Sequence, residues 1–227
     1  MRQLITFAII AVLPSACVPS SQKTGILPTF PPSLTTAPPL LSQASVPSKP
    51  IFTDFPLSAG TIWKYSGEIT YQNPNDQTQT ETWSGFITDT VVEQNTMLDG
   101  RLLFTYQENM EPTTPEGVWR KPSMHKYTAS EDGIFRDDIK IFQWPLSDNL
   151  TWEAIPGTMY DMNVNYIGEV DTPYGSLKGC YTLLLATLPD STLDTFCPSI
   201  GFVEHKYQHN GDRQDEHFVL VSYETLR

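Results

Sequence analysis

The sequence predicts an all-β domain, formed by a single antiparallel, strongly curled sheet or barrel-like sheet of roughly 9–10 strands. Apolar and polar residues alternate with a period of two along much of residues 51–227. Short clusters of Gly, Pro, Asn and Asp interrupt this alternation and are typical of turns. No window of the chain carries the 3.6-residue apolar period of a long amphipathic helix.

The alternation is clearest at residues 62–71, where Trp63, Tyr65 and Ile69 are separated by polar residues, and again at 160–166. Each pattern places apolar groups on one face of a strand. The same criteria predict further strands at 80–92, 101–107, 118–128, 134–144, 176–185, 200–207 and 217–224. Turns are predicted between them at Asn73-Pro74-Asn75-Asp76, Asp99-Gly100, Asp132-Gly133, Pro156-Gly157, Pro189-Asp190 and Asn210-Gly211.

A short internal repeat suggests that the domain has two similarly built halves. An aromatic residue, Pro-Leu-Ser, four further residues and a tryptophan occur from Phe55 to Trp63 and again from Trp144 to Trp152. Each copy is interpreted as a turn that leads into a strand beginning with a buried tryptophan.

The first copy also carries a family resemblance. Residues 55–65 read Phe-Pro-Leu-Ser-Ala-Gly-Thr-Ile-Trp-Lys-Tyr, and residues 197–203 read Cys-Pro-Ser-Ile-Gly-Phe-Val. The chain thereby resembles bacterial extracytoplasmic proteins and lipoproteins, mostly uncharacterised, that often begin with Phe-Pro-Leu…Gly…Trp-x-Tyr. Such proteins often close with a Gly-[Ile/Val]-Gly-like segment before a last hairpin, and here Ser199 stands where glycine is more usual. The resemblance implies a curled antiparallel β fold on the cell exterior and implies no activity.

The N-terminus predicts export and a lipid anchor. Arg2 precedes an apolar run at 4–13, which is the length of a signal peptide and too short to span a bilayer. Pro14-Ser15-Ala16 then leads to Cys17. This arrangement resembles a bacterial lipoprotein signal, so we interpret residues 1–16 as the signal peptide and Cys17 as the lipidated N-terminus. The membrane is then one partner, through the anchor, and ordinary secretory cleavage is the alternative.

Residues 17–50 are predicted to be a disordered linker between this anchor and the domain at 51–227. From position 18 onward they contain eight prolines, ten Ser/Thr and no acidic residue. A stretch of this composition buries too little apolar surface to offset its ordering entropy. We interpret it as a spacer that lifts the domain off the membrane; a proline-rich recognition segment is the alternative.

The charge of the domain excludes one class of partner. All 26 acidic residues lie from position 51 onward, together with 11 of the 14 basic ones, so the domain has a formal charge of −15. A surface this negative repels phosphate backbones, which argues against nucleic-acid binding. It also keeps the domain soluble beside a membrane.

The remaining cysteines predict a disulfide. If Cys17 takes lipid, Cys180 and Cys197 form an even pair in an oxidising compartment. A hairpin with a four-residue loop at 187–190 places these two cysteines opposite each other, within disulfide reach. Two buried thiols, or a redox-active pair, are the alternatives; there is no Cys-x-x-Cys motif to favour the latter.

The histidines near the C-terminus are the cluster that invites a metal hypothesis. His205, His209 and His217 lie close in sequence to Glu204 and Glu216. A two-residue Asn210-Gly211 turn pairs His205 with Glu216 and places His205 and His217 on opposite faces of the sheet. A three-residue loop would instead bring these two histidines together. We therefore predict a solvated hairpin with no metal site.

Signatures of an enzyme are missing. The chain has no Gly-x-Ser-x-Gly, no His-Glu-x-x-His and no phosphate-binding glycine loop. The adjacent acids Asp137 and Asp138 point to opposite faces of a strand and make a poor catalytic pair. We predict no catalytic residues and no cofactor.

The aromatic residues leave two interpretations open. Five tryptophans, ten tyrosines and eleven phenylalanines suit the core of a sheet, and some could line an apolar groove. The leading hypothesis is a lipid-anchored module of the cell envelope that binds an unidentified protein, glycan or apolar ligand without catalysis. The alternatives are a carrier of lipid or acyl chains, which requires an apolar cavity, and a secreted hydrolase, which requires convergent acid, base or metal groups.

Overall fold

A computed structural model describes residues 55–225, apart from positions 74, 77, 113–121, 138 and 212–213. The described residues form twelve strands and contain no helix. They are β1 (Ile62–Gln72), β2 (Thr80–Thr96), β3 (Leu102–Pro112), β4 (Ser123–Ser130), β5 (Gly133–Arg136), β6 (Ile139–Gln143), β7 (Thr151–Glu153), β8 (Asp161–Thr172), β9 (Gly175–Ala186), β10 (Asp190–Cys197), β11 (Gly201–His209) and β12 (Gln214–Glu224). No membrane-crossing helix, long and apolar enough to span a bilayer, is found in this part of the chain.

All twelve strands belong to one antiparallel sheet, which confirms the predicted fold class. Their order is β6-β5-β4-β3-β2-β1-β12-β11-β10-β9-β8-β7. The sheet therefore consists of two meanders, β1–β6 and β7–β12, which pair with each other through β1 and β12. Trp63 is the second residue of β1 and Trp152 the second residue of β7, and both are buried. The two copies of the internal repeat thus begin the two meanders.

The sheet curls until its two edge strands meet, so that it is nearly closed into a barrel. The indole Nε1 of Trp152, in β7, donates to the carbonyl oxygen of Lys140, in β6, at 2.8 Å. The backbone N–H of Lys140 donates to the carbonyl oxygen of Ala154 at 2.9 Å. Because both edges satisfy backbone groups on each other, neither is left open for pairing with another chain at this point.

The opening and closing segments of the family-like pattern pack on each other inside the curled sheet. Trp63 Nε1 donates to the carbonyl oxygen of Ile200 at 2.6 Å, and the Tyr65 hydroxyl donates to that of Phe202 at 3.0 Å. Gly201 has a φ of +99°, and a Cβ at this position would lie 3.3 Å from Trp63 Nε1. Ser199, which replaces the more usual glycine, also has a positive φ, of 69°. Glycine suits both positions for this reason.

An aromatic cluster fills the interior at these segments. The ring of Phe55 lies 5.7 Å from Phe142, 5.4 Å from Phe196 and 5.5 Å from Phe202, and Phe142 lies 4.6 Å from Phe196. Distances of this size, with edge-on or tilted geometries, are favourable for aromatic pairs. The cluster joins the segment before β1 to the sixth, tenth and eleventh strands and so occupies part of the barrel interior with side chains.

The strand count differs from the prediction for identifiable reasons. The predicted strand 134–144 is divided into β5 and β6 at Asp137, whose φ is 54°. Strand β7 has three residues, too few to show alternation. The predicted disulfide hairpin requires a strand at the position of β10, but the alternation of apolar and polar residues does not define where that strand begins and ends. Part of the predicted strand 118–128, and Asp138, lie outside the described residues.

Cys180 and Cys197 form a disulfide with a Cα–Cα distance of 4.3 Å. Strands β9 and β10 pair Ala186 with Ser191 and Tyr181 with Phe196, so the loop between them is residues 187–190. This is the register predicted from the sequence.

The C-terminal hairpin has a different register from the predicted one. His209 pairs with Gln214, and His205 pairs with Phe218. Four residues therefore separate the paired residues His209 and Gln214, two more than an Asn210-Gly211 turn allows, and His205 faces neither Glu216 nor His217. The predicted placement of His205 and His217 on opposite faces remains, because lengthening the loop by two residues preserves the period-two parity.

Opening the disulfide is expected to destabilise the domain. The bond closes a loop with a sequence separation of 17 residues, and its loss should lower the free energy of unfolding by roughly 3 kcal/mol. For a domain of this size the Tm should fall by about 6–12 °C. Calorimetry with and without reductant measures the shift, and the double variant Cys180→Ala/Cys197→Ala should not respond to reductant. An unchanged Tm in wild type would contradict the prediction.

Candidate functional site

The concave face of the sheet encloses a cavity of about 330 Å³ beside the aromatic cluster. This volume lies near the lower end of the range of roughly 300–1,000 Å³ typical of small-molecule sites. Apolar and aromatic side chains make most of its wall: Phe55, Leu57, Trp63, Tyr65, Ile87, Phe104, Tyr106, Tyr127, Ile134, Ile139, Ile141, Met162, Leu185, Phe202 and Phe218. The cavity that the carrier hypothesis requires is therefore present.

Polar side chains of the same wall come from several strands, and strand register brings them to one face. Phe218 pairs with His205, and His205 pairs with Asp194, so the three share a face. Phe218 also pairs with Gly67, two residues beyond Tyr65, and Tyr65 pairs with Ile87. Because side chains alternate along a strand, Asp89 lies on this same face, as does its β3 partner Glu108.

Asp89 is the polar residue of this wall whose hydrogen-bonding capacity is least satisfied. Its Oδ1 atom is buried and has no hydrogen-bond partner in the described part of the chain. Burial raises the pKa of Asp89 to about 7; the nearby Glu108 carboxylate raises the pKa as well, and His205 opposes both. A buried carboxyl oxygen without a hydrogen-bond partner costs folding free energy, so this residue is a local conflict in the sheet.

Two neighbours of Asp89 each make a hydrogen bond to another residue. The Tyr65 hydroxyl donates to the carbonyl oxygen of Phe202. His205 Nδ1 lies 2.6 Å from Asp194 Oδ1. Burial raises the pKa of Tyr65 and of Tyr106 well above the usual value, and the Asp89 charge adds to both shifts. Both phenols are therefore neutral, and Asp89 faces a cavity wall of aromatic rings.

Glu204 shows how a fully supported carboxylate in the same sheet differs from Asp89. Its oxygens accept hydrogen bonds from Thr195 at 3.0 Å and His217 at 2.8 Å, and Lys206 Nζ lies 2.7 Å away. Burial alone would raise the pKa of Glu204, but the hydrogen bonds from Lys206, His217 and Thr195 bring the pKa below its usual value. Glu204 thus has a structural role that Asp89 lacks.

The histidines do not form a metal site within the described residues. His205 is held by Asp194, His217 by Glu204, and His209 Nε2 lies 3.6 Å from Asp190. No three His, Cys, Asp or Glu side chains of the described chain converge on a point where an ion could bind. His205 and His217 instead hydrogen-bond separate carboxylates on neighbouring strands, and His209 Nδ1 accepts a hydrogen bond from the backbone N–H of Gly211.

Two further polar residues of the cavity wall are His125 and Arg136. His125 Nε2 lies 2.8 Å from the Ser123 hydroxyl. Arg136 is exposed and hydrogen-bonds Tyr127, with which it pairs across β4 and β5.

The wall can bind but lacks the nucleophiles common in hydrolases. Its described polar members are five carboxylates, two histidines, one arginine and a threonine, with no serine, cysteine or lysine: Asp89, Glu108, His125, Arg136, Thr192, Asp194, Glu204, His205 and Glu216. The pair Asp89 and Glu108 could exchange a proton with a bound group, since one pKa lies near neutrality. The arrangement best fits an apolar ligand segment together with a polar or charged group.

The residues singled out from the sequence and the residues of this cavity overlap in part. Cys17 lies outside the described residues, and the disulfide does not line the cavity. Of the tryptophans, Trp63 lines the cavity, whereas Trp119 is outside the described residues. Asp89 is a cavity residue that no sequence motif indicated. The available signal was its inward position in the alternation between Ile87 and Val91, where an apolar residue is expected.

Comparisons with known proteins assign no family. No family model and no curated protein matches the chain. Among solved structures, a Bacteroides fragilis protein described as exported and as having a YmcC-like fold aligns with a TM-score of 0.42. The two chains are 11% identical, over 76% of this chain and 99% of that one. A Parabacteroides distasonis protein described as a lipoprotein aligns with a TM-score of 0.40 and 13% identity, over 75% of this chain and 97% of that one. MucB aligns with a TM-score of 0.27 and 9% identity, over 73% of this chain and 54% of that one. Similarity of this extent carries no function to the chain.

Replacing Asp89 by asparagine is expected to stabilise the protein at alkaline pH. The pKa of Asp89 in the folded state, about 7, lies above the ordinary value of 3.8. The folded state therefore binds more protons between these values, and this residue makes the protein less stable as the pH rises from 4 to 7. At pH 8, Asp89→Asn should raise the free energy of unfolding by about 1–3 kcal/mol, and at pH 4 the gain should disappear.

Urea unfolding at the two pH values measures this difference. Glu111→Gln is the control, because Glu111 is an exposed acid at the end of the same strand as Glu108. The control should match wild type at both pH values. Lower stability of Asp89→Asn at pH 8 would show that the Asp89 carboxylate has a favourable partner.

Proposed function

We propose that this chain is a lipid-anchored, extracytoplasmic binding protein without catalytic activity, whose curled sheet holds the apolar part of a small amphipathic molecule. The observation that carries the proposal is the cavity of about 330 Å³ on the concave face, with a largely apolar wall and inward-facing carboxyl groups. A folded core without function is expected to be packed to high density and to exclude unpartnered polar atoms. Here an unfilled space lies beside an unpartnered oxygen of Asp89, so neither expectation is met.

The volume limits what the cavity can hold. At about 330 Å³ it suits a single ring or a short chain, and not the whole of a two-chain lipid. A longer molecule would insert one segment and leave the rest in solvent. We therefore favour reversible binding of a small amphiphile over the carriage of complete lipids, and this refines the carrier hypothesis.

The location rests on features outside and inside the domain. The signal-like residues 1–16, Cys17 and the proline-rich spacer support export and anchoring. The disulfide between Cys180 and Cys197 is consistent with an oxidising compartment. The mechanism is then presentation: acyl chains hold the protein at a membrane, the spacer sets its reach, and the cavity meets ligands in the extracytoplasmic space.

Filling the cavity is expected to abolish binding of an apolar probe. Thr192 lines the cavity, whereas its neighbour Ser191 points to the other face of β10. Thr192→Phe should weaken binding of the neutral fluorophore N-phenyl-1-naphthylamine by about tenfold or more, since the new ring occupies the apolar space. Ser191→Phe should bind like wild type. Fluorescence titration measures both, and equal binding by the two variants would place the probe outside the cavity.

Lipidation is tested separately. Intact-mass spectrometry of the protein purified from membranes is expected to find a diacylglyceryl-modified Cys17 at the mature N-terminus, and Cys17→Ser should move the protein to the soluble fraction. A mature N-terminus elsewhere, with Cys17 removed or present as a free thiol, would exclude the anchor and leave the cavity proposal intact.

A further inference from the structure

We propose that the ligand carries a protonated amine and that Asp89, supported by Glu108, is the residue that binds it. This inference rests on the proposed function and specifies the chemistry of the ligand. It begins from geometry: the Oδ1 atom of Asp89 is buried against the cavity and has no hydrogen-bond partner in the described chain. A donor supplied by a ligand would satisfy it.

The charge around the cavity favours a cation. Five carboxyl residues border the described cavity; Glu204 is engaged by Thr195, Lys206 and His217, and the other four outnumber the single guanidinium of Arg136. Asp89 and Glu108 are direct cross-strand partners on β2 and β3, so their carboxyl groups repel each other when both are ionised. An ammonium group between them would remove this repulsion, whereas a carboxylate or phosphate would add to it.

The aromatic rings near Asp89 strengthen the same preference. Trp63 is the β1 partner of Asp89, and the rings of Tyr65, Tyr106 and Tyr127 line the same cavity. Aromatic faces attract cations, most strongly where water is excluded. The apolar wall beyond these rings would then receive the hydrocarbon part of the same molecule, which makes the ligand an amine with an apolar body.

The binding should depend on pH because the Asp89 carboxyl group must be ionised to pair with an ammonium. Burial raises its pKa to about 7. Titratable groups that face it from the surrounding strands are Tyr65, Tyr106, Glu108, Tyr127, Asp194 and His205. The tyrosines stay neutral. Because histidine side chains in general titrate in this pH range, a variant is needed to assign the effect to Asp89.

The experiment compares three probes that share an eight-carbon chain: n-octylammonium, n-octanol and octanoate. Calorimetric titration at pH 8 uses the full chain with Cys17→Ser, which keeps acyl chains and detergent out of the measurement. Octylammonium is expected to bind about tenfold more tightly than octanol, and octanoate most weakly. Asp89→Asn should reduce octylammonium affinity by about tenfold and leave octanol affinity unchanged.

Matched variants and pH complete the test. Glu108→Gln should weaken octylammonium binding by a smaller factor, and Glu111→Gln should not change it. From pH 6 to pH 8 the octylammonium affinity of wild type should rise about tenfold, following the ionised fraction of a group with a pKa near 7. This rise should be absent in Asp89→Asn. If that variant fails to fold, Glu108→Gln and the wild-type pH profile carry the test.

The possible results distinguish failure of the amine inference from failure of the proposed binding function. Equal affinity of the three probes would overturn the amine inference and leave the proposed binding function standing. Binding of none of them, while the neutral fluorophore still binds in the cavity, would overturn the amine inference alone; failure of the fluorophore to bind as well would overturn both. A pH dependence that persists in Asp89→Asn would assign the titrating group to His205 or His125 and overturn the role given to Asp89.

Discussion

The packing of the segment around Trp63 against the segment around Gly201 is the constraint on which the rest of the domain depends. The two segments lie far apart in the chain, yet the indole N–H of Trp63 bonds the carbonyl oxygen of Ile200 at 2.6 Å, and the Tyr65 hydroxyl bonds that of Phe202. Gly201 permits this approach because a side chain there would meet the indole ring. With Phe55, Phe142 and Phe196 packed beside them, these residues tie strands of both meanders together and fill one part of the interior. The same curvature leaves the neighbouring part unfilled, and this is where the cavity lies.

Individual carboxyl groups of this sheet differ in how fully their oxygens are hydrogen-bonded. Glu204 receives hydrogen bonds from Thr195, His217 and Lys206, and they lower its pKa despite burial. Asp194 is held by His205. Asp89 receives no such support, and its pKa rises instead. A protein that can satisfy two acids within one sheet and leaves a third unsatisfied gains no stability from the third. Local conflicts of this kind are expected where a ligand completes the hydrogen bonding.

Most of the fold could be predicted because antiparallel sheets reveal themselves in local pattern. Alternation at Trp63 and Tyr65 gave the inward face of β1, and simple loop parity placed Cys180 opposite Cys197 with the observed loop at residues 187–190. Parity alone could not fix the length of the loop after His209, so the predicted pairing of His205 with Glu216 was wrong. Strand β7 has three residues, and periodicity has no meaning at that length. The candidate site was harder still, because Asp89, Glu108 and His205 come from three strands, and only the curvature of the sheet brings β2 and β11 to one cavity. The local sequence pattern shows which residues alternate between the two faces of a strand, but it does not show how strongly the sheet curves.

The central claim is that the concave face, and not an exposed apolar patch, receives the hydrocarbon part of a ligand. Nuclear Overhauser contacts between the chain protons of bound n-octylammonium and the methyl groups of the protein test it most directly. The account predicts contacts to Ile139, Ile141 and Met162, which line the cavity. Contacts confined to Leu98, Met159 or Leu188, which are exposed on the surface, would contradict it.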